Sequence, residues 1–269
     1  RQVEAYALWG GVPRYWELAS DFEHWEEALL DLVLSPLGAL HDEPQSLLQD
    51  DLGETLQSSS LLQLIGQGCQ RLSELAARLG KPATSLNRPL QRLVELDLID
   101  RQKPFACLEK DSKRSYYRIT DPFLRFWYRY VAPHRSRLQS RQIAPVLKII
   151  EEDFDHHVAG IWEDLVRMSI PHLDLFEKNW GPAQPWWGPG LDRKPLEIDV
   201  VAESLDGCAW LLGSVKWRKH GSRAAAWSEL ERQAGLLPNP QGRRLELCLF
   251  AQKPGAGDIG PEQVLGGLR

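Results

Sequence analysis

The sequence contains no run of about 18 apolar residues, the length a helix needs to cross a bilayer. Its N-terminus has no basic segment leading into an apolar core. Neither a membrane span nor a secretory signal is expected, and the chain reads as cytoplasmic. Cysteine is scarce and scattered: Cys69, Cys107, Cys208 and Cys248 include no CxxC pair. That argues against a disulfide framework or a zinc ribbon, and the four thiols read as buried small residues in a reducing compartment. A GxxxxGK[ST] loop is also missing, since Gly80-Lys81 lacks both the earlier glycine and the following hydroxyl. Without a loop to cradle a nucleotide phosphate, the chain is not expected to bind or hydrolyse ATP alone. Finally, Arg1 to Trp16 enters in mid-helix with no initiator methionine or opening strand, which reads as the start of a fragment.

What is present suits two modules. A chain of 269 residues exceeds the ~100–150 residues typical of one domain, and its 43% hydrophobic and 26% charged content is ordinary for a globular protein. The formal net charge of −5 conceals an asymmetry. Residues 1–60 hold 2 basic against 12 acidic side chains, residues 61–147 carry a net +9, and residues 148–269 a net −4. A basic middle between acidic ends points to an anionic partner for the middle, or to its docking on the acidic neighbour.

Along the chain, Gly10-Gly11 stops one helix and Pro13 opens the next. Phe22, Trp25, Ala28, Leu29, Leu32 and Val33 then fall on one helical face behind Asp21 as N-cap, and Leu37–Leu52 reads as a further helix. Residues 58–120 hold the clearest pattern. A short helix at Leu61–Ile65 is followed by a second, Ser73–Leu79, capped by Ser73 and stopped by Gly80. A third has apolar Leu86, Leu90, Leu93 and Leu96. Two extended arms, Leu98–Arg101 and Ser115–Ile119, complete a winged helix-turn-helix. Ser85, Asn87, Arg88, Gln91 and Arg92 on the third helix, with Lys110, Lys113 and Arg114 on the wing, are the residue types that contact phosphates and base edges in duplex DNA. Pro89 predicts that this helix starts near Asn87 or bends there.

Asp121-Pro122 caps the next helix. Its aromatics, Phe123, Phe126, Trp127 and Tyr128, read as core rather than as a base-stacking platform, and Pro133-His134-Arg135 should end it. Helices around Ile143–Phe154 and Asp155–Ile170 follow, the second with Val158, Ile161, Trp162, Leu165, Val166 and Ser169 on one side. A Pro-, Gly- and Trp-rich stretch over Asn179–Gly190 leads to strands Leu196–Ala202 and Gly213–Trp217, helix Ser222–Leu237, strand Leu245–Ala251 and a poorly patterned tail from Gly255. Asp199 closes a Glu-Ile-Asp step in the first strand. Ser214 and Lys216 lie on one side of the second, because strand side chains alternate. Phosphodiester hydrolysis would need carboxylates on Mg²⁺ and a lysine to steady developing charge. Asp199 is then the metal ligand, Glu163 an accessory helix-borne ligand and Lys216 the charge stabiliser. Ser214 is a neutral, poor Mg²⁺ ligand, for which Glu229 or Glu231 could substitute. The plain alternative is a strand-end salt bridge.

Tyr6–Tyr15 with Gly-Gly-Val-Pro-Arg-Tyr, Ser73-Glu74-Leu75-Ala76, Asp121–Tyr128, Trp186-Trp187, Glu197–Ala202 and Val215-Lys216-Trp217 occur in an order that resembles the C-terminal part of a prokaryotic AAA/STAND-type ATPase family. Its C-terminal domain is of undefined function. That domain is in turn similar to the PD-(D/E)xK nuclease superfamily, with Glu163, Asp199 and Lys216 at matching positions and Ser214 where an acid is usual. The resemblance implies an α+β multidomain chain. Residues 1–57 would be the helical remnant of an ATPase lid, 58–147 a winged helix-turn-helix with its aromatic helix, and 148–269 a restriction-endonuclease-like α/β domain. It further implies duplex DNA and an upstream ATPase module as partners, with self-association open, ATP bound only by the longer parent and Mg²⁺ as the metal of any cleavage. DNA binding with a degenerate or weakly active nuclease-like domain, an Mg²⁺-dependent nuclease, and a non-catalytic interaction regulator are the three functions in view.

Overall fold

A glycine forced into left-handed backbone ends the first helix. Helix α1 (Gln2–Trp9) stops at Gly10, φ 62°, and Pro13 occupies the first turn of α2 (Pro13–Ala19). A Cβ on Gly10 would lie 2.5 Å from Oδ2 of Asp121, so neither space nor φ admits another residue. The computed structural model describes residues 1–52, 56–107, 114–217 and 222–268. Among these, no helix is long and apolar enough to cross a membrane. The chain is α+β, with two sheets, and its contacts divide into two units. The first holds Arg1–Gln102 and Ser115–His157; the second holds Lys103–Arg114 and Val158–Arg269.

In the first unit, the helix expected behind Asp21 begins later. Helix α3 (Trp25–Leu29) has His24 at its N-cap, because α2 runs to Ala19 and leaves Asp21 inside the connecting turn. It passes directly into a π-helical turn, Leu30–Leu34. The wider turn brings three consecutive residues, Leu32, Val33 and Leu34, into the core, which a 3.6-residue period does not anticipate. Helix α4 spans Glu43–Leu52 rather than starting at Leu37, which is 90% exposed.

Three helices and a hairpin follow: α5 (Leu56–Gly66), α6 (Leu72–Leu79), α7 (Ala83–Glu95), β1 (Ile99–Gln102) and β2 (Tyr116–Ile119). Strands β1 and β2 pair antiparallel, Ile99 opposite Ile119. The N-cap of α6 is Arg71, not Ser73. Glu74 takes over the capping, its Oε2 accepting the Gln70 and Arg71 N–H groups at 3.2 and 3.1 Å. Gly80 ends α6 in left-handed backbone, as expected. Helix α7 starts at Ala83 and is assigned without interruption through Pro89, so it does not begin near Asn87. Its Leu86, Leu90 and Leu93 are fully buried, which offsets the hydrogen bond that Pro89 cannot donate.

Asp121 caps α8 (Pro122–Phe126), its Oδ1 accepting the Leu124 N–H at 2.8 Å. Burial raises the proton affinity of this carboxyl, against the backbone N–H groups of Leu124, Gly11 and Phe123 that lower it. Phe123, Phe126, Trp127 and Tyr128 are all core, and the Tyr15 and Phe123 rings lie 4.7 Å apart. Pro133 does not end this segment. A π-turn (Trp127–Val131) and a 3₁₀ turn (Ala132–His134) lead into α9 (Arg135–Gln139), because a proline at the head of a new turn has no N–H to lose. Arg129 and the Tyr130 hydroxyl then hold Asp153, at 2.7 and 2.8 Å. The two helices expected between Ile143 and Ile170 are one, α10 (Ile143–Ser169), whose last two turns together with Val158–Trp162 belong to the second unit.

The second unit is built on a four-stranded sheet of order β3 (Gln184–Pro189), β4 (Pro195–Glu203), β5 (Ala209–Lys216) and β6 (Arg244–Ala251). The β3–β4 and β4–β5 pairs are antiparallel and the β5–β6 pair is parallel. Helix α11 (Arg223–Leu236) makes the crossover between β5 and β6, capped by Ser222. Leu196, Ile198, Trp210, Leu212 and Leu249 pack with Leu230 of α11. Strand β3 comes from the Trp- and Pro-rich stretch that does not read as a strand; prolines at positions 185 and 189 suit an edge. Helix α12 (Pro261–Gly267) orders the tail after a bridge between Phe250 and Ile259. Of the four thiols only Cys248 is buried; Cys69 and Cys107 are half-buried and Cys208 is exposed.

One consequence of the first unit's core is measurable. His157 is fully enclosed, near Phe126 and Tyr130, and its Nε2–H donates to the Ala7 carbonyl at 2.8 Å. Desolvation pushes its pKa down to about 3, helped by Arg125 and Arg129 and opposed by the Ala7 bond. The folded state thus stays unprotonated where the unfolded state takes up a proton. Stability present above pH ~6.5 should fall as pH drops towards 3, by up to about 1.4 kcal/mol per unit from this group. Urea titrations of the parent and of His157→Gln between pH 7 and 4.5 should show a shallower slope for the variant.

Candidate functional site

Two sets of residues are singled out by sequence, one on α7 in the first unit and one around Asp199 in the second. On α7, burial of Leu86, Leu90 and Leu93 turns Ser85, Asn87, Arg88, Gln91 and Arg92 outward, and all five are exposed. Gln91 Nε2 donates to Glu95 Oε1 at 3.0 Å, and Ser85 Oγ donates to the Pro82 carbonyl at 2.7 Å, closing the first turn. Arg88 and Arg92 make no ion pair among the described residues. Lys110 and Lys113 lie outside the described residues. Arg114 is exposed and belongs to the second unit, where its carbonyl accepts the Trp187 indole N–H at 3.1 Å. Arg135, from the basic middle, pairs with Asp42 at 2.5 Å.

The second set converges on Asp199. Across β3 and β4, Gln184 lies opposite Val201 and Trp186 opposite Ile198, so two steps on β3 span three on β4. This bulge encloses Asp199, and bulges re-aim side chains. On the other edge, β4 pairs with β5 only over Val200–Glu203, while β5 continues beside β6 to Lys216. Past Val200, therefore, the β5 N–H groups lose their backbone acceptors on β4. Asp199 supplies one from its side chain: Oδ2 accepts the Val215 N–H at 2.7 Å. The same oxygen lies 3.7 Å from Lys216 Nζ and 3.5 Å from Ser214 Oγ, the latter at the outer limit for a hydrogen bond. Ser214 and Lys216 thus share a side of β5, as alternation predicts. Inside β5, Gly213 leaves room for the Phe250 ring, which a Cβ would meet at 2.8 Å.

Helix α10 faces this point with Val158, Ile161, Trp162, Leu165 and Val166 all buried, as expected. Glu163 lies beside a residue the sequence reading passed over. Arg167, 7% exposed, donates from Nη1 to the Asp199 carbonyl at 2.9 Å and from Nη2 to Asp164 Oδ1 at 2.6 Å, and lies 3.7 Å from Glu163 Oε2. The i, i+3 and i, i+4 spacing marks Arg167 as a neighbour of Asp164 and Glu163, but not its bond to the Asp199 backbone. Glu229 is exposed and held by Arg232 through two bonds of 2.6 and 2.8 Å, which lower its proton affinity, with Lys216 adding to the same effect. Glu231 is exposed on α11.

At most two carboxylates, Asp199 and Glu163, would be on offer to Mg²⁺ here. Among the described residues no three His, Cys, Asp or Glu side chains gather in a metal-holding group. Mg²⁺, however, is commonly held by one or two carboxylates, its other positions filled by water and substrate phosphate. Asp199, with Oδ2 committed to Val215 and Lys216, would offer Oδ1, and Glu163 would be the second carboxylate. Asp199 and Lys216 should differ sharply in their structural weight. Asp199→Ala strips a buried strand N–H of its acceptor and should cost about 1–3 kcal/mol in urea unfolding. Lys216→Ala removes half of a part-exposed pair and should cost under about 1 kcal/mol.

Residues 127–228 match the family model DUF234, described as Archaea bacterial proteins of unknown function. That segment includes Glu163, Arg167, Asp199, Ser214 and Lys216, and it begins after α7. A protein of Methanocaldococcus jannaschii, known as Uncharacterized protein MJECL04, is 26% identical over 220 residues, covering 80% of this chain and 48% of its own length. The chain thus spans about half the length of this curated relative. Over the stretch that carries the Asp199 cluster, it is similar to a prokaryotic family of unknown function.

Proposed function

We propose that this chain binds duplex DNA through α7, as the reading helix of a winged helix-turn-helix. In this reading it is the C-terminal part of an ATP-dependent DNA-handling protein, with the ATPase module supplied from outside this chain. The observation that carries the reading is the exposed face of α7. Arg88 and Arg92 stand there without an ion pair among the described residues, next to Asn87 and Gln91, opposite three fully buried leucines. Guanidinium groups supply phosphate contacts and bidentate contacts to guanine, and side-chain amides suit adenine. The β1–β2 hairpin beyond α7 is the element that would be the wing. Binding to a duplex should weaken steeply with salt, and Arg88→Ala with Arg92→Ala should each reduce the slope of log K against log salt by about 1. Fluorescence anisotropy across a salt series measures this. A duplex affinity unchanged in the double variant would refute the reading.

A second reading has its own support, the convergence of Asp199, Ser214 and Lys216 at the β4–β5 divergence. Here the second unit is a nuclease-like domain with weak Mg²⁺-dependent activity. Bound Mg²⁺ would polarise a phosphodiester and activate water. Asp199 and Glu163 would hold the ion, and Lys216 would steady charge building on the phosphate oxygens. Ser214 adds no charge to the ion, which accounts for weak binding and slow cleavage in this reading. Nicking of supercoiled DNA in Mg²⁺ should be slow and should fall at least about 100-fold in Asp199→Ala and in Lys216→Ala. Nicking that survives both changes would place any activity elsewhere.

A further inference from the structure

Arg167 is a charged side chain in a place where packing alone calls for an apolar one. Its side chain is 8% exposed, and its neighbours Leu165 and Val166 on α10 are core residues. Burying a guanidinium is costly unless its donors are satisfied. Here two of them bond to Asp164 and to the backbone of Asp199, with the Glu163 carboxylate close by. Nη2 reaches Asp164 at 2.6 Å, Nη1 reaches the Asp199 carbonyl at 2.9 Å, and Glu163 Oε2 is 3.7 Å from the same Nη1. The guanidinium therefore connects the helix that carries Glu163 to the residue at the strand bulge. It does so through the backbone of Asp199 and leaves the carboxylate free to face β5.

We propose that Arg167 is the positioning residue of the Asp199 site. It fixes where Asp199 stands against β5 and where Glu163 stands against Asp199. The planar fork matters as well as the charge, because a lysine ammonium is a single point that cannot span Asp164 and the Asp199 carbonyl in fixed geometry. The role rests on the metal-binding reading of that site for its Glu163 arm alone. The Asp199 arm stands on the Val215 N–H bond, whatever the site does.

The test uses the full chain and three variants, Arg167→Lys, Arg167→Met and Asp199→Asn, each first shown to be folded by circular dichroism. Amide hydrogen exchange at Val215 reads the position of the Asp199 carboxylate directly. In Arg167→Met it should accelerate at least about 10-fold, while Leu211 and Leu212 inside the β4–β5 ladder stay slow. Arg167→Lys should fall between parent and Met variant. Calorimetry with Mn²⁺ reads the pair of carboxylates, and the Met variant should bind at least about 10-fold more weakly than the parent. Unchanged Val215 exchange in Arg167→Met overturns the proposal. Faster Val215 exchange with unchanged Mn²⁺ affinity overturns the Glu163 arm and leaves Arg167 as a strut for Asp199. If the parent binds no Mn²⁺, or Asp199→Asn binds it as well as the parent, the metal reading fails, and Val215 exchange alone decides the role of Arg167.

Discussion

The second unit depends on a backbone N–H that its neighbouring strand fails to meet. Strand β5 runs on past Gly213, where its pairing with β4 ends at Val200, and the Val215 N–H is received by the Asp199 carboxylate at 2.7 Å in place of a carbonyl. A buried strand donor without a partner is among the costlier faults in a fold. The acid at position 199 is therefore constrained by architecture before any chemistry is considered. The β3–β4 bulge, the carbonyl bond from Arg167 and the salt bridge to Lys216 all serve the same placement. Structural bonds alone thus hold this acid in place and leave it little freedom to move.

The first unit shows a parallel case with a different acid. Asp121 caps α8 and lies against Gly10 and Gly11, so the turn after α1 and the start of α8 are made by one carboxylate. The segments Gly10–Tyr15 and Asp121–Tyr128 are thus in contact. Tyr15 stacks obliquely on Phe123 at the same junction. Each segment is legible alone, but their contact is not, because a cap and a turn are read locally.

Helices α6 and α7, the β1–β2 hairpin, β4, β5, α11 and β6 were all readable from period and from Gly, Pro and Ser signals. The misses have particular causes. The π-turn at Leu30–Leu34 breaks the 3.6-residue period, and the same geometry recurs at Trp127–Val131. Strand β3 holds two prolines and two tryptophans, a composition that argues for a loop unless an edge position is known. At the site, Ser214 and Lys216 could be grouped because alternation in a strand is strict, and Asp199 joined them only through the resemblance. Arg167 could not be assigned a role from spacing, since the bond that gives it one goes to a backbone carbonyl of another element.

Pro89 bears on how α7 comes to exist. Proline within a helix costs about 3 kcal/mol relative to alanine, and a 13-residue helix is already marginal in water. Cut out as a peptide, this segment would be mostly unfolded. Its outward face therefore exists only while Leu86, Leu90 and Leu93 are packed beneath it. A ligand held by that face would stabilise the module by mass action, and a substitution in the leucine layer would weaken the ligand without touching it. The surface and the core of this module form one thermodynamic unit.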